Sequence, residues 1–270
     1  MAQNPHQPFA GTQYHALILG ASGAMGLATA HRLAAAGMHL LLVYREPRNR
    51  EAGLQAEFEA MRAHGVTVHA WNENALTDEG RNKILAALTP VLGQEGRIRL
   101  LLHAIAKGNL KKLAATAPEP PLTEEDFRLT IHAMATSMWQ WAQRLIQQQL
   151  FAADARIIGL TSEGSARSWP GYAAVGAAKA VLENLARSMA VELAPLGIRT
   201  NIVQPGVTDS QAFRLIPGHE TIKDMALQKN PFHRLTTPAD AANVIYLLCT
   251  DEAAWINGAL LHADGGEHCC

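Results

Sequence analysis

Cysteine is scarce in this 270-residue chain, occurring only at 249, 269 and 270, and two of the three are neighbours. Adjacent cysteines near one end cannot staple a fold, so no disulfide framework is expected. Cys249 sits in an apolar helical run and reads as a small core residue. His262, His268, Cys269 and Cys270 lack any recognised metal-ligand spacing, so no metal is expected and residues 267–270 are expected to form a frayed tail. Charge is also sparse, at 17%, below the usual quarter. Part of the surface is therefore expected to be covered by a second subunit. The net charge of −1 leaves neither a basic stripe for nucleic acid nor an acidic tail. No apolar run approaches the roughly 18 residues a membrane span needs, and no charged-then-apolar leader opens the chain. The expectation is a cytoplasmic enzyme with no nucleic-acid or membrane partner.

Apolar residues are plentiful, at 48%. After a polar stretch, residues 1–13, expected to be a disordered lead-in, short apolar runs alternate with longer amphipathic ones. Strands are predicted at His15–Gly20, His39–Tyr44, Val66–Trp71, Arg99–His103, Arg156–Thr161, Arg199–Val203 and Ala259–Ala263. Helices are predicted between them, among them Ala24–Ala36, Thr123–Leu150 and Tyr172–Leu193. Continuously apolar strands separated by helices indicate a parallel sheet covered on both faces. The predicted fold is α/β: a Rossmann-type doubly wound domain over residues 14–266, with about seven parallel strands.

The first strand runs into Gly20-Ala-Ser22-Gly23-Ala-Met25-Gly26 and a helix. This is the setting in which glycines allow a tight turn, close approach of backbone to pyrophosphate, and helix-on-strand packing. Gly20, Ser22, Gly23, Met25 and Gly26 are thus candidates to hold a dinucleotide at a helix N-terminus. After the second strand comes Arg45-Glu46-Pro-Arg48-Asn-Arg50. Arg45 is placed to grip a 2′-phosphate, which favours NADP(H), while Glu46 keeps NAD(H) open. Asn72 and Asn74, after the third strand, are alternative candidates to touch adenine.

Ser162 follows the fifth strand, and Tyr172 and Lys179 open the long helix after it. A buried lysine can lower the pKa of a nearby phenol and hold a ribose hydroxyl. A phenol so tuned can donate to a developing oxyanion.

With these motifs in order, the chain resembles the short-chain dehydrogenase/reductase superfamily over essentially its whole length. The matching pieces are the glycine turn, Ser162, Tyr172 with Lys179, Ile198-Arg-Thr-Asn201, Pro205-Gly206 with Ser210, Pro238-x-Asp240 and Asp264-Gly265-Gly266. The resemblance implies cofactor contacts from His103, Ala104, Pro205, Gly206, Thr208 and Ser210, catalysis by Tyr172, Lys179 and Ser162, a lid over Val207–Thr237, and a homodimer or homotetramer. Ordinary members place the tyrosine four residues before the lysine, where this chain has Val175. The seven-residue spacing is instead similar to that of the enoyl-acyl-carrier-protein reductases, as is His103-Ala104-Ile105. On a helix, seven residues advance about 10 Å and four about 6 Å. The phenol is displaced outward, which suits an enoyl thioester, whose hydride-accepting β-carbon lies two bonds from the carbonyl carbon.

Three departures remain: Ser162 stands where the enoyl reductases often have a second tyrosine, Met134 where ordinary members have an asparagine, and Leu19 and Ala24 alter the glycine turn, the last two suiting a diverged reductase more than a carbonyl-reducing dehydrogenase. The expected function is an NAD(P)H-dependent reductase of a carrier-bound or small acyl substrate. A carbonyl reductase or alcohol dehydrogenase and a catalytically weak nucleotide-binding protein are the alternatives.

Overall fold

The computed structural model describes residues 7–114 and 120–270. Seven parallel strands form one sheet in the order β3-β2-β1-β4-β5-β6-β7. They are β1 (Tyr14–Leu19), β2 (His39–Tyr44), β3 (Val68–Asn72), β4 (Arg97–His103), β5 (Phe151–Leu160), β6 (Ile198–Pro205) and β7 (Leu260–Ala263). The connecting helices are α1 (Ala24–Ala35), α2 (Arg48–Arg62), α3 (Asp78–Leu92), α4 (Glu124–Ile131), α5 (Ser137–Gln147), α6 (Ala173–Glu192), α7 (Gln211–Arg214), α8 (His219–Lys229) and α9 (Pro238–Cys249). The order reverses between β1 and β4, and ligands bind at the carboxyl ends of the strands beside such a switch point.

The apolar strands are buried on both faces because their alternate residues serve two cores. Ala16, Ile18, Leu40, Leu42, Leu100 and Leu102 join the core under α1, α2 and α9. Leu17, Leu19, Leu41, Val43 and Leu101 join the one under α3, α5 and α6. Among the described residues, no helix is long and apolar enough to cross a membrane.

Three expectations change at this level. The helix expected over Thr123–Leu150 is broken by a π-helical turn, His132–Thr136, between α4 and α5. Thr123 and Asp126 form a reciprocal capping box that fixes where α4 starts. The π turn carries His132, whose Nε2 meets the Leu76 carbonyl at 3.0 Å. The lead-in is ordered from residue 7: Phe9 is buried in the first core, edge-on to Tyr246, and its N–H donates to the Ala36 carbonyl at 3.1 Å. Residues 1–6 lie outside the described part. The tail is not frayed either. Glu267–Cys269 is a 3-10 turn, and Glu267 is buried with its carboxylate accepting from Val207 N–H.

At the opposite, amino edge of the sheet, Arg99, Arg156 and Arg199 on three adjacent strands converge on Asp154. Arg99 also donates to the Cys249 carbonyl and Arg156 to that of Leu248, at 3.0 and 2.9 Å. These are the free carbonyls at the C-terminus of α9, the negative end of its dipole. Asp154→Asn should therefore cost about 3 kcal/mol, because it takes the carboxylate partner of the buried Arg156 and leaves the buried Arg99 only the exposed Asp251. Urea denaturation measures this; a loss under about 0.5 kcal/mol would show the cluster to be inert.

Candidate active site

A cleft of about 1390 Å³ opens along the carboxyl edge of the sheet, from the β1–α1 turn to the start of α6. Gly20, at φ +87°, shapes its floor: a Cβ there would lie 2.6 Å from the Ala104 carbonyl oxygen, across the switch point. Gly26 is the packing glycine, since a Cβ on it would lie 2.4 Å from the Gly20 carbonyl oxygen. Gly20, Ser22, Gly23 and Met25 line the cleft, whereas Gly26 acts from behind. Ser22 Oγ donates to Glu46 Oε1 at 2.9 Å, and Arg50 holds the other carboxylate oxygen at 3.2 Å. Arg45 is exposed at the rim.

The two asparagines divide their work. Asn72 clamps the backbone of Glu46 from both sides, at 2.8 and 3.0 Å, and is not among the cleft residues. Asn74 lines the cleft and accepts from Leu76 N–H through Oδ1. Ala104, Pro205, Gly206, Thr208 and Ser210 also line it, with Ser210 capping α7 through the Phe213 N–H.

His103 is corrected: it does not reach the cleft. As the last residue of β4 it shares a face with Leu101, so its ring points under α5, where Nε2 lies 2.7 Å from Ser137 Oγ. Burial, helped by the nearby Lys179 charge, pushes its pKa down to about 3, so it is a neutral core imidazole.

Lys179 lies about two turns inside α6, 6% exposed, with Nζ donating to the Leu160 carbonyl at 2.7 Å. Burial lowers its pKa to about 8, with Glu183 opposing. Tyr172 is the N-cap residue of α6, and its hydroxyl is 3.2 Å from Ser162 Oγ. The expected lowering of the phenol by Lys179 is not found. Burial raises the Tyr172 pKa, and the Ser162 hydrogen bond only partly opposes it. The phenol is thus a neutral donor at ordinary pH. Val175 brings a methyl group to the cleft beside Met134, and both crowd Gly108 so closely that a Cβ there would meet them at 2.7 and 3.2 Å.

Of the apolar residues in the expected lid, Phe213, Leu215, Ile216 and Met225 line the cleft; Leu227 and Phe232 do not. Sequence reading missed Glu163, Arg167 and Trp169 after Ser162, Lys229 on α8, and Glu267 and His268 beyond β7. The last pair had a signal: a turn after the final parallel strand must emerge at the carboxyl edge, where the site is.

The set fits a nicotinamide dinucleotide. The glycine floor admits backbone contact that any side chain would block, and Lys179 keeps donors beyond the one Leu160 takes, at a buried point on the cleft.

Known proteins are similar to this chain over nearly its whole length. The family described as Enoyl-(Acyl carrier protein) reductase matches residues 20–268. 1-Cyclohexenylcarbonyl-CoA reductase of Streptomyces collinus is 30% identical over 266 residues, covering 97% of this chain and 90% of that one. The 3-oxoacyl-(acyl-carrier-protein) reductase MabA of Mycobacterium bovis is 30% identical over 250 residues, 93% of this chain and 91% of that one. The crystal structure of the angucycline C-6 ketoreductase LanV with bound NADP superposes at a TM-score of 0.83 with 22% identity, covering 100% of both chains.

Lys179 gives a testable signature. Its folded pKa is below its unfolded value of 10.5, so below about 8 the folded protein carries a buried charge at a cost, and stability from this group rises as pH climbs from about 8 to 10.5. Ligand-free Lys179→Met should be more stable at pH 7 by about 1–3 kcal/mol, a gap that closes toward pH 10, while cofactor binding is lost. Thermal melts across pH measure it; a destabilised variant at pH 7 would show the charge to be well compensated.

Proposed function

The chain belongs to the short-chain dehydrogenase/reductase superfamily and is an NAD(P)H-dependent oxidoreductase, and we propose that it reduces the carbon–carbon double bond of an enoyl thioester. The observation that carries this reading is the exchange of positions on α6. The phenol stands at the N-cap, seven residues before Lys179, while the position one turn nearer holds the aliphatic Val175.

When bound, the nicotinamide supplies hydride. The Gly20–Gly26 turn and Thr208 would hold the phosphates and amide, and the free Lys179 donors the ribose hydroxyls. Tyr172 offers its O–H to the thioester carbonyl oxygen, where negative charge collects as the β-carbon is reduced. With Ser162 Oγ, 3.2 Å away, as the donor of that pair, the phenolic O–H is left free for the substrate. A phenol raised by burial stays protonated and is suited to donate to the developing oxyanion. Phe213, Leu215, Ile216 and Met225 give the acyl group an apolar wall. The S. collinus relative is named for a conjugated enoyl-CoA, which supports this reading.

NADP(H) is the proposed cofactor. Among the described residues Arg45 makes no ion pair, whereas both Glu46 oxygens are occupied, by Ser22 and Arg50. The structurally similar LanV binds NADP. Carbonyl reduction is the second reading, favoured by the Ser162–Tyr172 contact and by the names MabA and LanV. With crotonyl-CoA, wild type should oxidise NADPH at least about tenfold faster than NADH. Tyr172→Phe should lower kcat by about 10²–10³-fold with the KM for NADPH within about twofold. Turnover of acetoacetyl-CoA alone would replace the first reading by the second, and binding of NADPH with no turnover of either thioester would overturn both.

We also propose a cytoplasmic homo-oligomer. Leu129 on α4, Trp139 on α5 and Val191 on α6 are 46%, 42% and 76% exposed, an apolar set that a second copy would cover. Light scattering should return at least twice the mass of one chain; a single-chain mass would refute it.

A further inference from the structure

Where β5 ends, two consecutive residues tie it to α6. The Leu160 carbonyl takes Lys179 Nζ at 2.7 Å, and Thr161 Oγ1 donates to Glu183 Oε1 at 2.5 Å. Glu183 follows Lys179 by four residues, so the two side chains leave the same face of the helix one turn apart. Thr161 lines the cleft, is 5% exposed, and donates its N–H to the Val203 carbonyl on β6 at 3.0 Å. The stitch is thus anchored in the sheet at one end and in the helix at the other. Glu183 itself is half-buried and does not line the cleft, and among the described residues it has no ion-pair partner.

Lys179 carries a desolvated charge with only a neutral carbonyl as its acceptor, and Glu183 is the charge that opposes this loss. The other charges on elements packed against α6 are engaged elsewhere or stand in solvent. On α4, Asp126 is held by Lys111 and Glu125 by Arg128, and Glu124 is exposed. On the turn after β5, Glu163 pairs with Arg167, and on β6 Arg199 pairs with Asp154. The turn Ala194–Leu196 carries no charge. On the π turn, His132 meets a backbone carbonyl, and on β4 His103 is a neutral imidazole. On α6 itself, Tyr172 is a neutral phenol at the N-cap, and Arg187 and Glu192 are exposed farther along.

We propose that Glu183 is a positioning residue for the reaction: through Thr161 it fixes the strand end that holds Lys179, and through its charge it keeps Lys179 an ammonium for the cofactor ribose. The inference rests on the reading that Lys179 holds that ribose. An ammonium offers three charged donors, one of which Leu160 takes, whereas a neutral amine offers fewer and weaker ones. Burial already brings the group down to about 8, so its proton is held only narrowly at neutral pH. With the Glu183 charge removed, desolvation acts unopposed and the proton is lost at a lower pH.

The test compares two variants of the full chain. Glu183→Gln keeps an acceptor for the Thr161 O–H and removes the charge; Thr161→Val keeps the charge and removes the bond. In wild type, NADPH affinity measured by fluorescence titration should begin to fall as pH rises through about 8. In Glu183→Gln that break should lie at least about half a pH unit lower, and the rise in ligand-free melting temperature should begin correspondingly lower. Thr161→Val should weaken NADPH binding at least about threefold with the break within about 0.2 units of wild type, and Thr161→Ser should restore the affinity. A Glu183→Gln profile that coincides with wild type overturns the proposal, as does a Thr161→Val variant that binds NADPH as wild type does. Lys179→Met keeps the two levels apart. If it retains NADPH binding, the reading of Lys179 itself fails; if it loses binding while the Glu183→Gln profile is unshifted, only the role of Glu183 fails.

Discussion

The ammonium of Lys179 is the constraint around which the cleft is arranged. It sits at the carboxyl edge of the sheet, 6% exposed, with one backbone carbonyl as its acceptor and no carboxylate close enough to cancel its desolvation. A charge in such a place costs stability in the ligand-free protein. It is tolerated because the surrounding structure over-determines its position: α6 is packed against β6 and the π turn, and Ala178, beside the lysine, is fully buried. Preorganisation of this kind places the cost in folding rather than in binding. The amino edge of the sheet supplies a counterweight, where three arginines share Asp154 and close the end of α9. One edge is thus charge-satisfied and structural, the other charge-hungry and functional.

The chemistry is decided by what stands one and two turns before that lysine. Val175 cannot donate a proton, and with Met134 it fills the space over Gly108 with aliphatic groups. The nearest phenol is Tyr172, buried and braced by Ser162. Gly164 makes room for its ring, since a Cβ there would approach the ring carbons to 2.3 Å. A substrate oxygen that meets this phenol lies farther along the helix axis from the lysine than one meeting a phenol at position 175. That displacement is the physical content of the double-bond reading.

How much of this was legible in the sequence depends on the range of the forces involved. The strands were readable because burial on both faces makes runs such as Leu40-Leu41-Leu42-Val43 continuously apolar, and β2 extends only one residue beyond that run at each end. The glycine turn was readable because Gly20 and Gly26 answer to contacts within their own β–α unit or across the adjacent strand. The π turn at His132–Thr136 was not, since no proline or glycine marks it. The direction of His103 was missed for a matter of strand parity: one residue decides whether a ring enters the cleft or the core. Phe9, a single aromatic in a polar stretch, is ordered by Ala36 and Tyr246, partners that local composition cannot reveal.

The terminal turn shows the same limit in a sharper form. By spacing, His262, His268 and Cys269 belong to no recognised ligand pattern, and a polar end after the last strand looks like fraying. What orders it is Asp264, whose two oxygens gather three donors from the four residues that follow. Gly265 and Gly266, at φ +64° and +85°, let the chain double back so that those donors can reach. The doubling back stacks the two imidazoles and brings the Cys269 thiol to the edge of one of them. A motif read from the sequence as the end of a fold is therefore also a device for gathering donors. Because the Asp264 carbonyl and its neighbour Glu267 hold the two ends of the segment above the cleft, the turn itself bears on the site.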